Sequence, residues 1–183
     1  MGPILFRILS CLTLSILMSL PIGGADRGEY EVKAAFLVNF THFVEWPALA
    51  SAGQFRLCVV GPDPFGNSLE RVVGSRTVNG QAITIKRFPR TVDGAPCQIA
   101  FIGELDHGVL AKLLRAPELS HSLTVGDSLS FAEHHGVIGF YLENNRVSLA
   151  LNTARAARSG LKINSQLMRV AKVVSEGNGE GQP

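Results

Sequence analysis

Residues 55–62 have the sequence Phe55-Arg56-Leu57-Cys58-Val59-Val60-Gly61-Pro62, and this stretch decides the fold. Its apolar run ends abruptly at a Gly-Pro pair, which is typical of a buried β-strand followed by a turn. Two further apolar runs also end at a glycine, residues 98–102 before Gly103 and residues 123–125 before Gly126. Segments with a helical spacing of apolar residues separate these runs, so the pattern predicts an alternation of strands and helices.

The same patterns, followed along the chain, predict one α/β domain over residues 26–175 with a solvated tail over residues 176–183. The predicted strands are residues 55–60, 82–88, 98–102, 123–125, 137–142 and 146–151. The predicted helices are residues 30–46, 67–73, 105–115, 131–135, 153–158 and 165–174. Thr153 is the expected N-cap of its helix, and residues 143–145 connect a hairpin. We expect a mixed sheet of about six strands with helices on both faces.

Composition and charge exclude two broad classes of protein. Hydrophobic residues make up 46% of the chain and charged residues 17%, which excludes general disorder. Seventeen Lys and Arg against fifteen Asp and Glu give a net charge of +2. A charge so close to zero gives no electrostatic reason to expect nucleic-acid binding.

The first 25 residues have the layout of a secretory signal peptide. Arg7 precedes an uncharged apolar run, and small residues follow Pro21, so we expect cleavage after Ala25 and a periplasmic mature protein. The alternative is an uncleaved N-terminal anchor, although the run is short for a span of about 20 residues. A lipid-modified Cys11 is disfavoured because the apolar run mostly follows that cysteine rather than preceding it.

The expected cleavage leaves Cys58 and Cys97 in the mature chain. In an oxidising compartment a disulfide between them is the leading interpretation, and it would close a loop of about 40 residues. The alternative is a pair of buried reduced thiols that act as small hydrophobic residues. The sequence has no CxxC pair, so it supports neither a thioredoxin-type redox site nor a structural zinc site.

The sequence offers no residue set for catalysis, a metal or a cofactor. Its histidines are scattered at positions 42, 107, 121, 134 and 135, and the adjacent pair would diverge on a helix. Residues 61–66 follow a strand, where α/β proteins often bind ligands, but they lack the GxGxxG pattern. Arg155 and Arg158 lie three apart on a predicted helix. They could hold an acidic partner or ligand, or their stems could simply cover the sheet edge.

Several segments, taken in order, resemble the YfiR family of exported proteins. They are Tyr-Glu-Val-Lys-Ala-Ala-Phe-Leu-Val-Asn-Phe at 30–40, Phe-Val-Glu-Trp-Pro at 43–47, Leu-Cys-Val-Val-Gly at 57–61, Asp-Pro-Phe-Gly at 63–66, Leu-Thr-Val-Gly-Asp at 123–127, Phe131-Ala132, and Ala-Ala-Arg-Ser-Gly-Leu-Lys-Ile at 156–163. The resemblance extends from about residue 30 to residue 174, which is nearly all of the predicted domain. The order and spacing of the segments are specific, whereas each segment alone is weak.

The resemblance implies a periplasmic regulator and not an enzyme. Family members bind the periplasmic sensor domain of an inner-membrane diguanylate cyclase and hold it inactive, which limits cyclic-di-GMP synthesis and biofilm formation. An OmpA-like outer-membrane lipoprotein can sequester the repressor. Members are typically homodimers, and a disulfide at positions matching Cys58 and Cys97 supports their fold. A second family disulfide has no counterpart here, since no cysteine follows Cys97.

The residues that contact such a partner are expected in two places, the segment 127–135 and the helix that ends at Arg158. The candidates are Asp127, Phe131, Glu133, His134 and Arg158. Repression would require only that the protein binds the inactive cyclase better than the active one. An alternative function is that of a periplasmic module that senses a small molecule and serves another membrane receptor, such as a kinase.

Overall fold

The structure is a computed structural model that describes residues 24–47 and 54–175. The predicted signal peptide, apart from its last two residues, lies outside the described residues. The predicted tail, residues 176–183, also lies outside them.

Six α-helices and ten β-strands form the described part of the chain. The helices are α1 Gly24–Asn39, α2 Ser68–Val73, α3 His107–Leu113, α4 Leu129–His134, α5 Thr153–Arg158 and α6 Ser165–Val170. The strands are β1 Val44–Glu45, β2 Gln54–Val60, β3 Thr77–Val78, β4 Gln81–Phe88, β5 Ile99–Ile102, β6 Leu123–Gly126, β7 Ile138–Glu143, β8 Arg146–Asn152, β9 Lys162–Ile163 and β10 Lys172–Val174. Short 3₁₀ turns follow α1 and precede β6.

Eight of the strands form one mixed sheet in the order β10-β8-β7-β6-β5-β2-β4-β3. Five adjacent strands, β7-β6-β5-β2-β4, are parallel to one another. At the two sides of this group β8 runs antiparallel to β7, and β3 runs antiparallel to β4. After β2 the chain forms β3 and β4 on one side of β2, and it then returns to form β5 on the other side of β2. This reversal creates a crevice at the carboxyl ends of β2 and β5, the usual ligand position in open α/β sheets.

Helices cover both faces of the sheet, as predicted. On one face α1 and α2 pack over the inward residues of β2, β5, β6 and β7, and Phe40 stacks on Phe140 at 6.2 Å between ring centroids. On the other face α3 and α4 pack over a smaller cluster that includes Cys58 and Cys97. These two cysteines form a disulfide with a Cα–Cα distance of 5.9 Å, which confirms the leading interpretation from the sequence.

The expected count of six strands is too low. The missed strands are two or three residues long, and two of them lie in segments that were predicted to be helical. The predicted first helix, residues 30–46, is α-helical only to Asn39, and Val44–Glu45 pairs with β9 as a two-stranded ribbon. The N–H of Asn164 donates to the carbonyl of Phe43 at 2.8 Å, which fixes this extended end. Pro47 favours extended backbone in the residue before it, against a helix continuing to residue 46.

The predicted last helix, residues 165–174, also ends early. It stops at Val170, and residues 172–174 form β10 at the edge of the sheet, parallel to β8. In that strand Val174 is buried against Ala132 and Ala150, while Lys172 and Val173 are exposed at the sheet edge. Its spacing from Leu167 and Val170 also suits a helical stripe, so periodicity alone misassigned these residues.

Two local details refine the predicted turns. Asn152, and not Thr153, is the N-cap of α5, since its side-chain oxygen accepts from the N–H of Arg155 at 3.0 Å. The β7–β8 hairpin turns through Asn144 and Asn145 with φ of 51° and 59°. Positive φ at both central residues is the requirement of a type I′ turn, which asparagine tolerates well.

Candidate functional site

The segment between β6 and the end of α4 forms one wall of a cleft beside α3. β6 ends at Gly126, Asp127 follows, and Ser128 is the N-cap of α4, its hydroxyl oxygen accepting from the N–H of Phe131 at 3.1 Å. This strand-to-helix turn therefore places Asp127 at the carboxyl edge of the sheet. Three of the other predicted partner-binding residues, Phe131, Glu133 and His134, lie on α4 itself.

Asp127 is held by residues of α1 and does not stand alone. The Tyr30 hydroxyl donates to Oδ2 of Asp127 at 2.6 Å, and the Lys33 ammonium pairs with both Asp127 and Glu29. Lys33 is only 3% exposed, so its charge needs these carboxylates to be stable inside the protein. The ion pair joins α1 to the carboxyl end of β6.

Phe131 is a packing residue in the free protein. It is 6% exposed, and it fits between Gly126 and Gly136 so closely that a Cβ on either glycine would lie within 2.2 Å of its ring. The same ring belongs to the cluster that contains Cys58 and Cys97. Any contact between Phe131 and a partner would use the small part of the ring that remains accessible.

The cleft between α3 and α4 contains a cavity of about 480 Å³. Its walls are mainly apolar, with Leu105, Leu110 and Phe131 on the two helix sides. Tyr30, Asp127 and His135 contribute polar groups at its margin. The predicted turn after β2 closes one end, because Pro62 lies against Gly103 so tightly that a Cβ there would lie 2.5 Å from the Pro62 carbonyl oxygen. We call this cavity the apolar cleft.

The turn at residues 61–66 is itself occupied by structural contacts. Asp63 accepts from the N–H of Phe65 at 2.8 Å and from Nε of Arg87 at 2.5 Å, and Arg87 also reaches Glu70 at 2.6 Å. Hydrogen bonding to Arg87 lowers the pKa of Glu70, and the two carboxylates raise the pKa of Arg87. This ion-pair network ties β4 to α2 and gives Asp63, the polar side chain of the turn, a structural role.

A second concavity of about 360 Å³ lies where the C-terminal ends of α3 and α4 meet α5. Its basic side chains are Arg115, His134, His135, Arg155 and Arg158, and we call it the basic groove. The guanidinium of Arg155 donates to the carbonyls of His134 at 2.7 Å and His135 at 3.0 Å. Arg155 thus fixes the end of α4, while Arg115, His134 and Arg158 are exposed at the surface.

Three of the histidines, His107, His134 and His135, lie closer together than their sequence positions indicated, but they do not form a metal site. The ring of His135 lies 6.3 Å from that of His107 and 6.2 Å from that of His134, measured between centroids. Burial, followed by the nearby charges of His134, His107 and Arg155, lowers the pKa of His135. In residues 24–47 and 54–175, no group of three or more His, Cys, Asp or Glu side chains could hold a metal ion.

Comparison with known protein families supplies the decisive observation. The model of the YfiR/HmsC-like family matches residues 30–172, which is most of the chain and nearly all of the described α/β domain. The chain belongs to this family. The match agrees with the resemblance seen in the sequence and indicates a periplasmic regulator of diguanylate cyclase signalling. No curated protein matches the chain.

Within residues 24–47 and 54–175, no helix is both long enough and apolar enough to span a membrane.

Four of the five predicted partner-binding residues therefore fall into two groups. Asp127 and Phe131 line the apolar cleft, whereas His134 and Arg158 line the basic groove. Glu133 is half-buried on α4 and lines neither cavity. Sequence analysis did not anticipate the roles of Lys33 and Arg115. Lys33 could have been noticed as the one basic residue within the apolar segment 30–40, but nothing in the sequence relates Arg115 to α5.

Proposed function

We propose that this protein is an exported regulator that binds the periplasmic sensor domain of a membrane diguanylate cyclase and represses cyclic-di-GMP synthesis. The family match over residues 30–172 is the observation that supports this function. The match covers nearly all of the described α/β domain and is not confined to one motif. Control of exopolysaccharide and biofilm formation would follow from control of the cyclase.

The proposed mechanism is a shift of population. A protein that binds the inactive cyclase better than the active one lowers cyclase output by the ratio of the two affinities. This mechanism needs a specific surface and no catalytic group. The exposed side of α4 and the end of α5, with Glu133, His134 and Arg158, are the surface that we propose for the cyclase.

Two further partners belong to the same proposal. An OmpA-like outer-membrane lipoprotein would relieve repression by competing for the protein. The active form would be a homodimer, which gives a matched pair of surfaces for a dimeric receptor. Neither a cofactor nor nucleic acid is part of the mechanism.

Deletion of the gene is the direct test of this function. Intracellular cyclic-di-GMP should rise in the deletion strain and fall again on complementation. Complementation with a variant that carries E133Q, H134A and R158Q should fail, whereas the R76Q/R146Q variant should succeed because both of these arginines are exposed elsewhere. Unchanged cyclic-di-GMP in the deletion strain, under conditions where the protein is expressed, would exclude the proposal.

The apolar cleft favours a second candidate function. A cavity of about 480 Å³ lies within the range of small-molecule sites, so the protein could sense a ligand for another receptor, such as a kinase. Native mass spectrometry of protein purified from the periplasm distinguishes the two functions. A retained ligand, together with no affinity for any cyclase sensor domain, would favour the sensor.

A further inference from the structure

The basic groove differs from the rest of this nearly neutral chain in its charge. Five of its lining residues are Arg or His, and they come from three separate parts of the fold, the end of α3, the end of α4, and α5. Among the described residues that line it, none is Asp or Glu. Three of the five are arginines, and since the whole chain has seventeen Lys and Arg against fifteen Asp and Glu, the groove concentrates positive charge.

The geometry of the groove is largely preformed. Two hydrogen bonds from Arg155 to the carbonyls of His134 and His135 fix its guanidinium in the groove. Asn152 caps the start of the same helix through the N–H of Arg155, so backbone and side chain are both held. A site with fixed polar groups loses less entropy when a ligand binds.

The ends of α3 and α4 would by themselves disfavour an anion, because helix C-termini have a partial negative charge. Arg155 offsets this effect at α4, where it donates directly to the two terminal carbonyls. Both helices are short, with seven and six residues. Burial first, and then the nearby charges of His134, His107 and Arg155, lower the pKa of His135, so this ring favours its neutral form and the arginines supply the positive charge of the groove.

We propose that the basic groove binds a small molecule that carries carboxylate or phosphate groups. Arginine is suited to this role because its planar guanidinium donates two parallel hydrogen bonds to either group. A volume of about 360 Å³ lies at the lower end of the range for ligand sites, which fits a compact anion. Such a ligand would bind beside His134 and Arg158 and so would change the surface that we assign to the cyclase. The anion site itself does not depend on that assignment.

Amide chemical shifts of the purified exported protein test the proposal, with citrate and inorganic phosphate as probes at low ionic strength. Either anion should produce saturable shifts at Arg115, Gly136 and Ser159, and sodium chloride should weaken them. R115Q/R158Q should weaken binding about tenfold or more, because it removes two charge-assisted contacts. The matched control R76Q/R146Q removes the same charge outside the groove and should change affinity by less than about twofold.

The two probes also distinguish the ligand chemistry. Binding of phosphate alone indicates a phosphate ester as the natural ligand, and binding of citrate alone indicates a polycarboxylate. Circular dichroism verifies that R115Q/R158Q is folded, and the single variants replace it if it is not. The proposal is overturned if neither anion gives saturable shifts in the groove, or if the control variant weakens binding as much as the groove variant.

Discussion

Lys33 illustrates how a single buried charge holds α1 against the carboxyl end of β6. Its ammonium is almost fully removed from water, and desolvation of an unpaired charge would cost several kcal/mol. Glu29 is four residues earlier on the same helix, but Asp127 lies 94 residues later in the chain. Asp127 is therefore needed to hold α1 against β6, whatever else it contacts.

The substitution D127N should lower the free energy of unfolding by about 1–3 kcal/mol, because Lys33 would lose one of its two carboxylate partners while buried. The matched control is E45Q. Glu45 pairs with Lys162 at 3.9 Å, but both side chains are about four-fifths exposed, so its loss should cost less than about 1 kcal/mol. Urea unfolding at pH 7 measures both values. Equal stabilities for the two variants would contradict the positioning role of Asp127.

At the scale of elements, α4 packs on the sheet through glycines. Gly139 of β7 lies beneath the start of α4, where a Cβ would lie 2.1 Å from the backbone oxygen of Ser128. Gly126 and Gly136 likewise leave room only for the Phe131 ring. The absence of side chains at these three positions allows the helix to approach, and it brings Asp127, Glu133 and His134 to their observed places.

The substitution G139A should therefore destabilise the protein by about 1–3 kcal/mol or more, since the contact is with backbone and cannot be relieved by a rotamer change. G108A is its matched control. Gly108 lies in the first turn of α3 with nothing within 4 Å of an added Cβ, so alanine there should be neutral or stabilise by up to about 1 kcal/mol. Thermal unfolding compares them. If G139A were as stable as G108A, the close approach of α4 would be wrong.

The elements that the sequence predicted well are those with strong local signals. β2 and β5 each end directly before a glycine, α2 is short and bounded by turns, and the hairpin has two asparagines at its turn, so local chemistry was sufficient. The two-residue strands β3 and β9 were missed, and the errors of element type lie at Val44–Glu45 and at residues 172–174. There β-branched residues with a helical spacing pair with strands distant in sequence, β9 and β8, and no local pattern reveals that pairing.

The candidate site was predictable only in part for the same reason. Segment 127–135 was named as a candidate under the family resemblance, and Arg158 also from its spacing to Arg155. Their division between the apolar cleft and the basic groove depends on how α3, α4 and α5 converge. That Lys33 holds Asp127 and that Arg155 holds the end of α4 are long-range contacts, so they required the structure.

At the scale of the whole molecule, the disulfide joins β2 to the segment just before β5, within the cluster under α3 and α4. Cys58 lies in β2, the strand at which the chain reverses direction, and Cys97 lies just before β5, the neighbouring strand. Both sulfur-bearing residues are essentially inaccessible to solvent, in the cluster under α3 and α4. The bond therefore supports the same face that forms both cavities, and its effect should extend from the core to the functional surface.

Reduction of this bond should lower the free energy of unfolding by roughly 4 kcal/mol, because a link across 39 residues restricts the unfolded chain. Guanidinium unfolding with and without a reductant measures the loss. The C58A/C97A variant should unfold like the reduced protein and should no longer respond to reductant. Because the cysteines lie under α3 and α4, the variant should also bind citrate or phosphate more weakly at the basic groove, if packing on this face preforms that site. Unchanged stability after complete reduction would show that packing alone maintains this face of the sheet.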